Sequence, residues 1–373
     1  MMNNKEKLPG LYIHVPFCIK KCRYCDFVSF TNEQDIYDKY IEAVLREAAN
    51  YKGTPIDTIF VGGGTPTALS SHQLKKLLEG ISGIFKIAAD AEFSVESNPG
   101  TIDDEKLAVL KSCGVNRLSI GVQSFDDEEL RTLGRIHDSE SALCAIQSAQ
   151  KYFDNINIDI MTAIPGQTYE SLMHTLNTAV STGAEHISCY SLILEEGTPL
   201  EAMVRSGKLS LLDEEIDRKM YRDMCSFLNS KGYERYEISN FSKPGRNCRH
   251  NLKYWNTYEY IGLGAAAHSY FEGKRFYNTS DLHGYINEPG RREESIELSQ
   301  SDKVAEYIIM SLRTAEGVNL NEFANRFGFD FVSNYVNQIN KFTQGGFMKL
   351  TEKNCFLTDK GIDVSNSIMC EFL

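Results

Sequence analysis

The chain has 373 residues, 42% of them hydrophobic and 24% charged, a soluble globular composition long enough for a large α/β domain and a smaller one. A formal net charge of −12 argues against the basic footprint that nucleic-acid binding needs. No apolar run reaches membrane-spanning length, and the polar residues 1–10 carry no signal-peptide core, so the sequence predicts a cytoplasmic protein without a transmembrane segment.

The first strand-like segment, residues 11–15, runs directly into Cys18-x3-Cys22-x2-Cys25. Three thiolates within eight residues suit a 4Fe–4S cluster that keeps one iron without a protein ligand, which is where a substrate or reagent binds. The competing structural zinc site wants four ligands, commonly as paired Cys elements, and no second pair is present. The other seven cysteines are scattered, as free thiols in a reducing compartment are. Lys20, Lys21 and Arg23 are read as charge beside the cluster.

Further along, helix-like and strand-like patterns alternate. Strands are expected at 58–61, 92–96, 117–121, 156–161 and 186–192. Helices are expected at 35–50, 72–84, 103–113, 139–152 and 169–182. Ser70-Ser71 offers an N-cap, Asp103-Asp104-Glu105 places carboxylates in a first turn, and Gly114 and Gly183 fall where helices should end. Parallel βαβ units follow from this order. Six are too few for a closed eight-strand barrel, so the predicted architecture is a partial, open α/β barrel.

Strand ends carry the candidate site. Gly62-Gly63-Gly64-Thr65-Pro66 follows the second strand, where glycines let backbone N–H groups approach a ligand. Glu96 ends the third strand, Gln123 follows the fourth, Asp159 lies in the fifth and Arg135 comes in the segment after the fourth. In barrel enzymes such positions meet at the C-terminal face, where they would ring a polar ligand. Later, Cys248-Arg249-His250-Asn251 precedes Tyr254 and Trp255, the single tryptophan, and leads into Ile261-Gly262-Leu263-Gly264-Ala265-Ala266-Ala267-His268. A metal-ligating role for His250 or Cys248, with His268 as a second ligand, competes here with a buried histidine beside an aromatic anchor.

The pattern changes over residues 287–295, a polar stretch with Pro289 and Gly290. Helices are then expected at 302–314, 319–327 and 331–345, two short strands at 348–350 and 355–357, and a last helix at 359–371, a winged-helix-like arrangement. From Glu288 onward there are 9 Lys/Arg against 13 Asp/Glu, which argues against DNA reading.

Taken together, the cysteine triplet, residues 62–65 and His250-Asn251-x2-Tyr254-Trp255 resemble the radical S-adenosylmethionine (SAM) superfamily. Within it they resemble the heme chaperone HemW family, a relative of oxygen-independent coproporphyrinogen III dehydrogenase. The resemblance covers essentially the whole chain. It implies a partial (β/α)6 radical-SAM TIM-like barrel with an extension over residues 1–285, and a HemN-type, mainly helical domain over 286–373. It further implies a 4Fe–4S cluster on Cys18, Cys22 and Cys25, and SAM contacts from Tyr12, Tyr24, Gly63, Gly64, Thr65, Glu96, Gln123, Arg135 and Asp159. It implies heme at His250, an acceptor protein for that heme and an electron donor. The alternative is the dehydrogenase itself, an oxidative decarboxylase of coproporphyrinogen III. Two departures favour the chaperone branch: Phe27 stands where the dehydrogenases carry a fourth cysteine, and 17 residues precede Cys18, fewer than in those enzymes.

Overall fold

The computed structural model of the protein describes residues 7–31 and 33–373, so most of the polar start expected over residues 1–10 lies outside the described residues. Alternating apolar strands and amphipathic helices build the first half as repeated strand–helix units. In chain order these are β1 Gly10–Val15, α1 Tyr37–Ala48, β2 Pro55–Gly63, α2 Ser71–Ile84, β3 Lys86–Ser97, α3 Asp104–Ser112 and β4 Arg117–Gln123. There follow α4 Asp127–Leu133, α5 Ser139–Gln150, β5 Ile156–Thr162, α6 Tyr169–Ser181 and β6 His186–Ser191. The helix starts are fixed as the sequence predicts. Ser70 and Gln73 form a capping box on α2, and Asp103 accepts from the Lys106 N–H on α3. Gly114 and Gly183 adopt positive φ just past their helices.

β1 to β6 pair in parallel and in sequence order, with β1 beside β2 through β5 beside β6. The sheet then continues in both directions. A long segment after β6 supplies α7 Pro199–Arg205, α8 Glu214–Ser230, β7 Glu234–Arg235 and β8 Asn240–Ser242, and β8 runs antiparallel to β6. Next come α9 Arg249–Trp255, β9 Tyr260–Leu263, β10 His268–Phe271, β11 Lys274–Asn278, α10 Leu282–Asn287 and β12 Arg292–Glu297. β9 lies parallel to β1 on its free side, with β10, β11 and β12 beyond it, so the order is β12-β11-β10-β9-β1-β2-β3-β4-β5-β6-β8-β7. β1 and β6 have other neighbours, and the barrel is open. This is the predicted α/β architecture with six further strands, β7 to β12, on the same sheet, among which β9 makes a seventh parallel strand. The polar stretch over 287–295, read as a break in the pattern, carries an edge strand instead.

The C-terminal part comprises α11 Gln300–Leu312, β13 Val318–Asn319, α12 Leu320–Phe327, α13 Phe331–Asn334, α14 Val336–Gln344, β14 Met348–Leu350, β15 Asn354–Leu357, α15 Asp359–Ile362 and α16 Ser365–Met369. The helix expected over 331–345 is broken at Tyr335, and the one expected over 359–371 is divided. A three-stranded sheet, β13-β15-β14, backs an aromatic core in which Phe323 packs on Phe327, Phe329 and Phe331. This core is separate from the one between the large sheet and its helices.

Candidate functional site

The C-terminal ends of β1 to β5 gather the predicted residues. The cysteine loop leaves β1 and returns on itself. The Cys18 N–H donates to Phe30 O (2.9 Å) and the Phe30 N–H to Pro16 O (2.7 Å). Arg23 fastens its middle. Its backbone N–H reaches Leu133 O (3.0 Å) and its guanidinium reaches Arg131 O (2.9 Å), so a cation sits on the C-terminal carbonyls of α4. Gly134 makes room for it, because a Cβ there would meet Arg23 Cγ at 2.8 Å.

Cys18, Cys22 and Cys25 are partly buried free thiols on this one loop. The Arg135 guanidinium donates to Cys22 Sγ at 3.1 Å, and Cys18 Sγ lies 3.7 Å from Thr65 Oγ1. Burial pushes the Cys18 and Cys25 thiols up, while Arg135 pulls Cys18 and Lys21 pulls Cys25 the other way. Among the described residues no three His, Cys, Asp or Glu side chains converge as ligands of a single ion. Three thiols on a closed loop, each free to meet its own iron at a separate corner, are a donor set that fits a 4Fe–4S cluster better than a zinc cage.

The glycine run packs against this loop. The Gly64 N–H donates to Val15 O (2.9 Å), the Thr65 N–H to Phe17 O (2.7 Å), and the Gly63 N–H to Glu96 Oε2 (3.0 Å). A Cβ on Gly63, whose φ is +105°, would lie 2.4 Å from the His14 ring, and one on Gly64 2.7 Å from Phe17 O. The glycines are therefore needed for close approach of backbone to backbone. The expectation that their N–H groups face a ligand is corrected, because Gly63, Gly64 and Thr65 spend theirs inside the fold.

Asn98, which sequence reasoning passed over, links several of these groups. Its Nδ2 donates to Thr65 Oγ1 at 2.7 Å, and its Oδ1 accepts from Arg135, which also donates to Gly121 O. Its only signal was its place between a strand end and Pro99. Gln123 stands at a bulge between β4 and β5 with φ +74°, a conformation that costs a non-glycine residue of order 1–3 kcal/mol and collects at functional sites. Asp159 pairs in register with Gly121 and accepts from Asn157 Nδ2 (2.7 Å) and Ser119 Oγ (3.3 Å). Burial lifts the Glu96 carboxyl to about 7, and the charge of Asp159 adds to the rise. Tyr12 donates or accepts at His14 Nδ1 (2.9 Å), and the other nitrogen of that ring meets Val28 O (3.0 Å) on the far arm of the cysteine loop. Tyr24 packs with Leu133, Met161 and Ile164. Eight of the nine predicted polar-ligand residues thus lie on β1 to β5 or on the loops that follow β1 and β2, and Arg135 lies on the connection between α4 and α5.

His250 is elsewhere. It is 0% exposed, and so is Cys248. Its Nδ1 meets Thr58 Oγ1 at 2.9 Å and its Nε2 meets Tyr254 OH at 2.8 Å. Glu92, another residue not singled out beforehand, accepts from the Arg249 and His250 backbone N–H groups, both at 2.9 Å, at the start of α9. Burial lowers the His250 ring to about 3, so it is a neutral, enclosed hydrogen-bonding residue. The reading of His250 as an iron ligand is corrected on this geometry: both ring nitrogens are occupied and no surface is open.

The residues after His250 do reach a cleft, of about 620 Å³, beside the cysteine loop. Tyr254, Trp255 and Tyr258 line it together with Tyr12, Phe27, His268 and Met310. Phe27 is 64% exposed at this cleft.

The Radical SAM superfamily profile matches residues 12–179, and the HemN C-terminal domain profile matches residues 298–364. The chain is 37% identical to the heme chaperone HemW of Bacillus subtilis over 98% of its own length and 99% of the relative's. It is 34% identical to that of Lactococcus lactis, over 99% and 98%. It is 36% identical to that of Escherichia coli, over 85% and 86%. Among solved structures it superposes on the E. coli coproporphyrinogen III oxidase HemN, described as a radical SAM enzyme, with a TM-score of 0.86 at 24% identity. That match covers 98% of this chain and 90% of that one, and it shows a common fold. No helix among the described residues is long and apolar enough to cross a membrane.

Proposed function

The chain belongs to the heme chaperone HemW family of the radical SAM superfamily, and from that premise we propose that it binds heme and passes it to an acceptor protein. The observation that carries this reading is the aromatic cleft opening beside the cysteine loop, large enough for much of a flat macrocycle and walled by Tyr254, Trp255 and Tyr258. In place of the fourth cysteine of the dehydrogenases, Phe27 offers a bare aromatic face at that cleft. Two units share the work, residues 1–285 and 286–373, with β12 reaching back to the first unit's sheet.

Cys18, Cys22 and Cys25 would hold a 4Fe–4S cluster, which supplies one iron without a protein ligand for a chelating small molecule and a site for one-electron reduction. SAM is the assigned ligand there. Arg135 holds the Cys22 thiol and, through Asn98, the Thr65 hydroxyl in one frame. Glu96, tied to the Gly63 N–H, supplies a carboxylate for the amino group of SAM, while Tyr12, Tyr24, Gln123 and Asp159 complete the ring. Gly63, Gly64 and Thr65 contribute backbone carbonyls and a hydroxyl, since their N–H groups are taken. An electron donor for the cluster completes the assignment. The test is transfer: heme-loaded protein is mixed with the apo form of a heme enzyme from the same cell, and recovery of activity is timed. Recovery faster than with the same concentration of free heme is expected. Equal rates would refute a chaperone role.

A further inference from the structure

The enclosure of His250 leaves the iron of heme without its expected ligand, and the geometry supplies another. Two histidines face the aromatic cleft, His14 and His268. His14 is buried and both of its ring nitrogens are engaged, with Tyr12 OH and Val28 O. His268 is exposed, makes no side-chain hydrogen bond with the described residues, and is steadied by stacking on Tyr277 at 4.9 Å with the planes 20° apart. An imidazole with its nitrogens free, held in orientation by packing, is what an axial ligand requires.

The backbone before His268 forms a mostly buried turn. Ala266 has a φ of +59°, strained for a residue with a Cβ. The turn is clamped from behind: Glu47 accepts from the Gly264 N–H (2.9 Å), from Asn278 Nδ2 (2.7 Å) and from Tyr285 OH (2.5 Å). Tyr40 OH accepts from the Ala265 N–H (3.0 Å) and donates to His14 O (2.7 Å). Burying a carboxylate and straining an alanine are costs, and what they hold in place is the strand that starts with His268. Trp255 also lines the cleft, with its indole Nε1 turned into the protein and without a partner among the described residues.

We propose that His268 is the axial ligand of heme in this cleft, and that the His250-Asn251-x2-Tyr254-Trp255 segment builds the wall against which the macrocycle lies. This rests on the heme-binding reading above. In this arrangement His250 is a positioning residue: through Thr58 and Tyr254 it fixes the wall, and it does not touch the iron.

Ferric heme is titrated into the anaerobically reconstituted protein, and into His268→Gly, His250→Gly and His283→Ala variants, with absorbance followed at the Soret band. Iron and sulfide content report that each variant keeps its cluster and fold. Wild type and His283→Ala should bind equally. His268→Gly should bind roughly tenfold or more weakly, and added imidazole should restore its band. His250→Gly should weaken binding without rescue by imidazole. If His268→Gly leaves band and affinity unchanged, or if imidazole rescues His250→Gly, the ligand assignment falls while the heme reading stands. If wild type binds no heme, the heme reading falls and the assignment with it.

Discussion

At the scale of single residues, Glu96 ties the candidate SAM site to pH. Its carboxyl is raised by burial and by the charge of Asp159, with the Gly63 N–H and Arg117 acting in the opposite direction; Tyr12 also faces it. In the folded protein Glu96 holds its proton to about pH 7, against an ordinary 4.5. Its contribution to stability is thus complete below about pH 4.5 and is lost as pH rises through 7. Glu96→Gln should flatten that part of the stability profile, by on the order of 1–2 kcal/mol after allowance for solvent screening. Denaturant unfolding of the cluster-free protein at pH 5 and pH 7.5 measures this, and parallel profiles for both proteins would count against it. The ammonium of SAM favours the ionised carboxylate, so SAM affinity of wild type should climb over the same interval, and Glu96→Gln should lose that climb.

Single residues also show where sequence reading stopped. The cysteine triplet was legible because a cluster dictates residue type and spacing. Glu96 and Gln123 stood out as polar groups at strand ends, Asp159 as a carboxylate inside β5, and Arg135 as a cation on the segment after β4. His250 was legible as important but not in its role, since a motif states which residues occur together and not which way a ring points. Asn98, Glu92 and Glu47 carry no local signature: each acts on backbone N–H groups or side chains far along the chain, such as Arg249 for Glu92 and Gly264 for Glu47.

Among the elements, the parallel strands β1 to β6 were readable because each is an apolar run bounded by an amphipathic helix. β9 was not, since its segment is rich in glycine and alanine and has no β-branched alternation. β12 was not, because all six of its residues are exposed and an edge strand needs no buried face. The turn between β2 and α2 makes the sharpest element-level prediction. Gly63→Ala puts a Cβ 2.4 Å from the His14 ring at a φ of +105°. It should cost at least about 2 kcal/mol and displace the far arm of the cysteine loop through His14 and Val28. Iron content per chain after reconstitution should drop along with stability; a full complement of iron would show that the loop does not depend on this contact.

Across the whole molecule, the C-terminal unit docks beside the aromatic cleft and gives it one lining residue, Met310. Arg326 on α12 donates to Asn256 O (2.8 Å), Thr257 Oγ1 (2.9 Å) and Thr257 O (2.9 Å), just beyond Trp255. Tyr258 OH donates to Glu322 (2.8 Å), and Arg275 pairs with Glu306 on α11 in a two-pronged contact of 2.8 and 2.6 Å. Arg326→Ala should destabilise the protein by about 1–3 kcal/mol and weaken heme binding while sparing the cluster. Unchanged heme affinity would place the C-terminal unit outside the heme site. Recognition of the family did not require this docking, which ties residues 256–258 at the edge of the cleft to α12.

The most direct test of heme carriage by this protein is an anaerobic titration of the reconstituted protein with heme, with SAM cleavage and coproporphyrinogen III conversion assayed in the same tube. Stoichiometric heme binding without conversion of the porphyrinogen is expected. Absence of heme binding, with conversion of coproporphyrinogen III and release of 5′-deoxyadenosine, would contradict it and make this protein an oxidative decarboxylase.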